Sequence, residues 1–126
     1  MATRKITEKH ETEQTRGWIV YLLYLSKPKP MELNALWSTL DMYSIPVLHR
    51  KFVEEVDHLR ALGLLRVFPA GAKAEVNDTE QARLLQRFIE GPRARDTGTF
   101  VFARLTTAGV QFQEGDSEVV GVFRVE

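Results

Sequence analysis

SIPVLHRKFVEEVDHLRALGLLRVF, residues 44–68, is the stretch on which the reading of the whole chain turns. Its apolar residues Leu48, Phe52, Val56, Leu59 and Leu62 recur at steps of four, four, three and three. At about 100° per residue, that spacing lays them along one side of a helix. The pattern predicts a helix over 44–62, with Ser44 placed to cap its start and Pro46 in the first turn, where a missing N–H costs little. Gly63 falls where the chain must turn left-handed to leave the helix, and Leu64 to Phe68 then reads as a short strand.

Upstream, Met31 to Tyr43 carries Leu33, Leu36, Trp37, Leu40 and Tyr43 on one helical face, and residues 41–45 make a short turn into the next helix. Helix, tight turn and capped helix in that order form a helix-turn-helix pattern. Lys27-Pro28-Lys29-Pro30 reads as a stiff loop, because each proline pushes the residue before it out of helical geometry. Glu13 to Leu25 reads as helix, and its segment WIVYLLYL is apolar around most of its circumference, so it must be buried on two sides. A second copy of the chain, making a homodimer, would supply the second side; so would the chain's own C-terminal segments. Residues 1–12 lack a sustained apolar period and are expected to form a flexible N-terminal arm or a frayed helical start, leaving 13–126 as one domain.

Downstream, Pro69-Ala70-Gly71 breaks the strand. Asn77 or Asp78 can cap another helix, with Ala82, Leu85, Phe88 and Ile89 facing inward and Arg83 and Arg87 outward. Residues 91–98, GPRARDTG, read as a flexible basic loop. TFVFARL, residues 99–105, alternates as a strand and is expected to pair antiparallel with 64–68. Thr106-Thr107 would cap a short helix that Gly115 ends, and EVVGVFRVE, residues 118–126, looks strand-like. The class this predicts is mainly α with a small antiparallel β element, an α+β fold.

Apolar residues make up 44% of the 126 and charged residues 27%, which fits a folded globular domain and excludes wholesale disorder. The longest apolar run, Trp18 to Leu25, falls far below the ~20 residues that span a bilayer. The first sixteen residues are too polar for a signal peptide, so no membrane partner and a cytoplasmic location are expected. The absence of cysteine removes disulfides, thiolate chemistry and cysteine-based zinc sites. Seventeen basic residues balance seventeen acidic ones, whereas a dedicated DNA-binding domain is usually basic. The charge is unevenly spread: residues 83–104 hold five arginines against Glu90 and Asp96, and residues 105–126 hold Arg124 against four acids. Local charge steers phosphates more than the total does.

Ala103-Arg104-Leu105-Thr106-Thr107-Ala108-Gly109 resembles the xLTxxG ending of many winged-helix regulators, in which the second strand of the wing runs into a capped helix. Gly63-Leu64-Leu65-Arg66-Val67 would form the other wall of that wing. Gly115 followed by Glu118-Val119-Val120-Gly121-Val122-Phe123-Arg124 is similar to the G…VVxGV.R tail of small winged-helix proteins carried by Mu-like prophages. The resemblance spans roughly residues 17–68 and 99–124. It implies a winged helix-turn-helix with a helix inserted in the wing connection, binding double-stranded DNA as a transcriptional regulator, with the helix over 44–62 in the major groove. Two departures stand out. The connection over 69–98 is much longer than a simple wing, and the recognition helix is less basic than that of a typical repressor.

On that reading the DNA-binding candidates are His49, Arg50 and Lys51 in the first turns of the helix, where base edges are reached. Arg50 suits a guanine, because its fork bonds O6 and N7 together, and Lys51 and His49 would serve phosphates or bases. Arg50 with Glu54 and Lys51 with Glu55 are also i,i+4 pairs, so plain surface pairing is the competing reading. Arg93 and Arg95 are candidates for backbone or minor-groove contacts from the wing, against a solvated loop. Lys27 and Lys29 could touch phosphates or simply solvate their loop. The acids at 54, 55 and 57 would repel phosphates, so only the first half of the helix can lie deep in a groove.

Catalysis finds no footing in the sequence. His49 and His58 lie nine residues apart, roughly 900° of rotation, and so point to opposite sides of one helix. No nucleophile–base constellation, glycine-rich phosphate loop or paired-histidine metal motif occurs. Asp96-Thr97-Gly98 spells the aspartic-protease triplet, but Arg93-Ala94-Arg95 precedes it where an apolar strand would be needed, and a turn is the simpler reading. No enzyme activity, metal, cofactor or small-molecule ligand is expected. A protein-interaction module built on the same fold is the alternative function, favoured by the zero net charge and the acidic second half of the helix.

Overall fold

A computed structural model describes residues 2–72, 75–90 and 100–126. Over these the chain runs α1 (Ala2–Ser26), β1 (Met31–Glu32), α2 (Leu33–Met42), α3 (His49–Ala61), β2 (Leu65–Pro69), α4 (Asp78–Glu90), β3 (Val101–Leu105) and α5 (Thr107–Gln113). The three strands form one antiparallel sheet in the order β1-β3-β2. The fold is therefore mixed α+β, and none of the described helices is long and apolar enough to cross a membrane.

Helix α3 sits at the centre because its apolar residues are shared among all its neighbours. Phe52, Val53, Val56 and Leu59 are fully buried against Leu33, Leu36 and Leu40 of α2, Ile19, Val20 and Leu23 of α1, and Leu85 of α4. Truncating a buried phenylalanine such as Phe52 to alanine costs about 3–5 kcal/mol. The helix is shorter than its apolar spacing predicts. Leu48 is its N-cap residue, 81% exposed, and Leu62 its C-cap residue, so the outer two members of the predicted stripe lie beyond it. Ser44 does not cap α3 and Pro46 does not enter its first turn. Ser44 instead closes α2 in a left-handed turn at φ 62, and the chain over 45–48 runs on to α3. Trp37 fixes that approach by donating from its indole N–H to the Val47 carbonyl at 2.7 Å.

Helix α1 begins at Ala2, through the stretch expected as an arm or a frayed helical start. Its apolar half is covered within one chain. Ile19, Val20, Leu22 and Leu23 are buried, and α1 packs on α2, α3, β3 and α5. Of the two sources foreseen for its second side, the chain's own C-terminal segments supply cover. The tail crosses at Gly17, where any Cβ would run into the Phe123 carbonyl, and Phe123 N–H donates to the Glu13 carbonyl at 3.2 Å.

That tail, expected as a strand, joins no sheet. Gly121 turns it at φ 85, and only Val122 of its tip is buried. Arg124 then ties it down by donating from Nε to the Phe112 carbonyl and from a terminal nitrogen to the Ser117 carbonyl, both at 2.6 Å. Its bonds go to the middle of α1, the end of α5 and the loop after it, and among the described residues none goes to a strand.

Strand β1 was also foreseen differently. Met31 and Glu32 pair with Ala103 and Phe102 instead of opening the second helix, and the Glu32 carboxylate then caps α2 by accepting from Asn34 N–H. The β2–β3 pairing runs as expected, from Leu65 opposite Leu105 to Pro69 opposite Val101. Thr106 accepts from Gly109 N–H at 3.1 Å to cap α5 and donates to the Gly63 carbonyl at 2.6 Å. A Cβ at Gly109 would strike the Leu64 carbonyl. The threonine and glycine of the LTTAG segment thus both hold α5 against the junction of α3 and β2.

Candidate nucleic-acid interface

The outer face of α3 is set by what grips its inner one. Glu55 is 4% exposed, and its carboxylate receives Arg16 Nε from α1 and Lys51 Nζ, the latter at 3.3 Å. Arg16 also donates to the Gly121 carbonyl at 3.0 Å, so one guanidinium joins α1, α3 and the tail. Glu55 was expected on the outward face and lies inward. Its spacing held the signal, since it stands three residues after Phe52 and four before Leu59, on the buried stripe. Arg16, which completes the pair, stood outside every motif in the sequence.

Helix α4 flanks α3 in antiparallel fashion. His49 packs its ring 5.1 Å from Phe88 at one end, and Arg60 bonds Asp78 at the other. Helix α4, inserted between β2 and β3, therefore lies against the body. It covers the free edge of β2, where the buried Gln81 side chain accepts from Val67 N–H and donates to the Val76 carbonyl, both at 3.0 Å. Covering an edge strand in this way removes a template for pairing with other chains.

What remains exposed on α3 is a strip containing Arg50, Lys51, Glu54 and Ala61, with Asp57 and His58 half-buried beside them. Arg50 projects into solvent, 78% exposed, and its Nε meets Glu54 Oε1 at 3.2 Å. Lys51, at 46% exposure, reaches back to Glu55. Both i,i+4 pairs foreseen in the sequence are formed, and the exposed one, Arg50–Glu54, holds its partner by only about 0.2–0.5 kcal/mol, whereas Lys51 pairs with a buried carboxylate. The first turn of α3 carries no side-chain cap, so the N-terminal N–H groups and these two cations share one end.

His49 departs from the expected arrangement. Its ring lies between Trp37, at 4.9 Å, and Phe88, and is half-buried there. Burial pushes its imidazole below the ordinary value of 6.5, so the ring is a neutral packing element between α2 and α4. Arg93 and Arg95 lie outside the described residues. Arg83 and Arg87 are exposed on α4, as its periodicity predicts. Among the described residues, no three His, Cys, Asp or Glu side chains come together to hold a metal ion.

The chain matches no family model, no curated protein and no solved structure. What it can do must therefore be read from its own geometry: a rigidly backed helix presents one strongly exposed arginine and one half-exposed lysine at an uncapped N-terminus.

Proposed function

We propose that this protein is a winged helix-turn-helix that binds double-stranded DNA as a homodimer, acting in the cytoplasm as a transcriptional regulator of phage-related type. The carrying observation is the exposure of Arg50 and Lys51 in the first turn of α3. The element order and the β1-β3-β2 sheet support the reading, because in a winged helix-turn-helix the second helix of the pair enters the major groove through its N-terminal residues. Arg50 takes the base contact and Lys51 a phosphate, each leaving a weak carboxylate partner. Two such helices are needed because one offers only two cations. Exposed Met42 and Leu48, both 81% accessible, leave apolar surface beside α3 for association.

Fluorescence anisotropy of labelled duplex DNA at two salt concentrations tests this. Binding that weakens steeply with salt and is lost in Arg50→Ala/Lys51→Ala is the expected result. Absence of binding at low salt would overturn it. The second reading, a protein-interaction module, draws on a specific observation: both cations of the α3 strip are already ion-paired within a chain of zero net charge.

A further inference from the structure

The cations of α3 are partnered, but those of another surface are not. A cleft of about 590 Å³ opens between the end of α1, the outer face of β2 and β3, and the start of α5. Lys27, Lys29, Arg66 and Arg104 line it, with Glu75 as the acid among its lining residues. Arg16, Arg50, Lys51, Arg60 and Arg124 all pair with carboxylates, whereas none of the four cleft cations forms an ion pair among the described residues. In a chain with balanced total charge, this cleft gathers four basic side chains against one acid.

The arrangement is costly unless something answers it. Arg66 and Arg104 are register partners across β2 and β3, so their side chains rise from the same face directly opposite one another. Like charges in that position destabilise a sheet. Each is held by a contact that leaves its charge uncancelled. Arg66 donates to the Val76 carbonyl at 2.8 Å, and the Arg104 guanidinium lies 5.7 Å from the Phe68 ring centroid. Lys27 likewise rests its ammonium 4.3 Å from the centre of the Tyr24 ring. The cleft thus holds four cations on a scaffold of carbonyl and aromatic contacts, in a space wide enough for several oxygens of an anion.

We propose that this cleft is a phosphate-binding site whose ligand is a chain of phosphates, gripped by the Arg66–Arg104 pair with Lys27 and Lys29 closing on it from the α1–β1 loop. Guanidinium forks match phosphate oxygens in pairs, and the lysines add point charges. The phosphates can belong to a free polyphosphate or to a nucleic-acid backbone. The site is separate from the α3 strip: Gly63 borders it at the far end of the helix from Lys51, about 18 Å away along the axis at ~1.5 Å per residue.

The test follows the backbone amide resonances of Gly63, Thr106, Thr107 and Ala108, which line the cleft and persist in every variant, by NMR of the full chain while sodium tripolyphosphate is added at constant ionic strength. Saturable shifts are expected. Affinity should fall about a hundredfold in Arg66→Gln/Arg104→Gln, roughly tenfold for each of the two lost charge-assisted contacts. Arg104→Gln/Lys29→Gln changes only exposed side chains and should weaken binding in the same direction without touching the fold. A parallel arm titrates duplex DNA. If Arg66→Gln/Arg104→Gln lowers the salt slope by about two, the ligand is a nucleic-acid backbone; if duplex binding is unchanged, it is a free phosphate chain. A wild-type chain that binds tripolyphosphate but no duplex would end the α3 reading and leave this one standing. Resonances that stay still, or move without saturating, or titrate in both double variants as they do in the parent, overturn the proposal.

Discussion

Gln81, from the first turn of α4, gives its carbonyl oxygen to the main-chain N–H of Val67 at 3.0 Å and so completes the outer edge of β2 with a side chain in place of a strand. Its amide nitrogen donates to the Val76 carbonyl, and the whole group is 2% exposed. The helix inserted between β2 and β3 is thereby part of the core, not an ornament on a loop. Gln81→Leu keeps the bulk and deletes both bonds, stranding a buried donor. A loss of about 1–3 kcal/mol in urea denaturation is expected, with faster amide exchange at Val67. A variant as stable as the parent would mean that α4 covers the edge by apolar contact alone.

Helices α2 and α3 end in the same way. Ser44 N–H bonds the Asp41 carbonyl at 3.0 Å and Ile45 N–H the Leu40 carbonyl at 2.9 Å; Gly63 and Leu64 repeat this on Arg60 and Leu59. Both closures place one residue left-handed, at φ 62 and φ 79, but only the second uses glycine. A side chain in that conformation costs roughly 1–2 kcal/mol. Ser44→Gly should therefore stabilise the protein by about 1 kcal/mol, less the added freedom of glycine in the unfolded chain. Thermal unfolding would show it as a raised Tm, and a lowered one would refute the assignment.

Much of this was legible because periodicity and turn chemistry are local. The α3 stripe, Gly63 and the Thr106 cap all follow from residues within a few positions of one another, and the β2–β3 pairing follows from two strands each of which alternates locally. Ser44 misled because serine before an apolar run signals a helix start, whereas here it serves as the left-handed stop of the preceding helix. Glu55 and His49 misled for a different reason. Both are polar residues that read as surface, and the partners that complete their burial, Arg16 for Glu55 and Phe88 for His49, stand 39 positions away in each case. The cleft of Lys27, Lys29, Arg66 and Arg104 was illegible because its residues come from distant segments, each of which reads as ordinary solvated charge.

His49 makes stability sensitive to mild acid. Its folded value lies below 6.5 because burial between Trp37 and Phe88 disfavours the charged ring, and the N-terminus of α3 acts in the same sense. In that window the unfolded chain binds more protons than the folded one, so stability is full above pH 6.5 and declines as pH falls toward the folded value. Tm should drop over this range in the parent and drop less in His49→Phe. An NMR titration of the ring with a midpoint above 6.5 would contradict the packing described.

Arg50 offers a prediction in the direction of gain. Its guanidinium is bound to Glu54 at 3.2 Å on an exposed face, so a phosphate or base must displace a carboxylate before Arg50 can serve DNA. Glu54→Gln removes that competitor and one negative charge from the strip proposed to face the duplex. The exposed pair is worth about 0.2–0.5 kcal/mol, so relief of competition alone predicts roughly a twofold rise in duplex affinity. Removing the repelling charge adds to this most at low salt, where screening is weakest. Stability should change by no more than about 0.5 kcal/mol, since the site is on the surface. Anisotropy titrations of Glu54→Gln beside Arg50→Ala decide the matter: the first should bind more tightly and the second more weakly than the parent. If neither differs from it, Arg50 does not touch DNA and the outward face of α3 belongs to another partner.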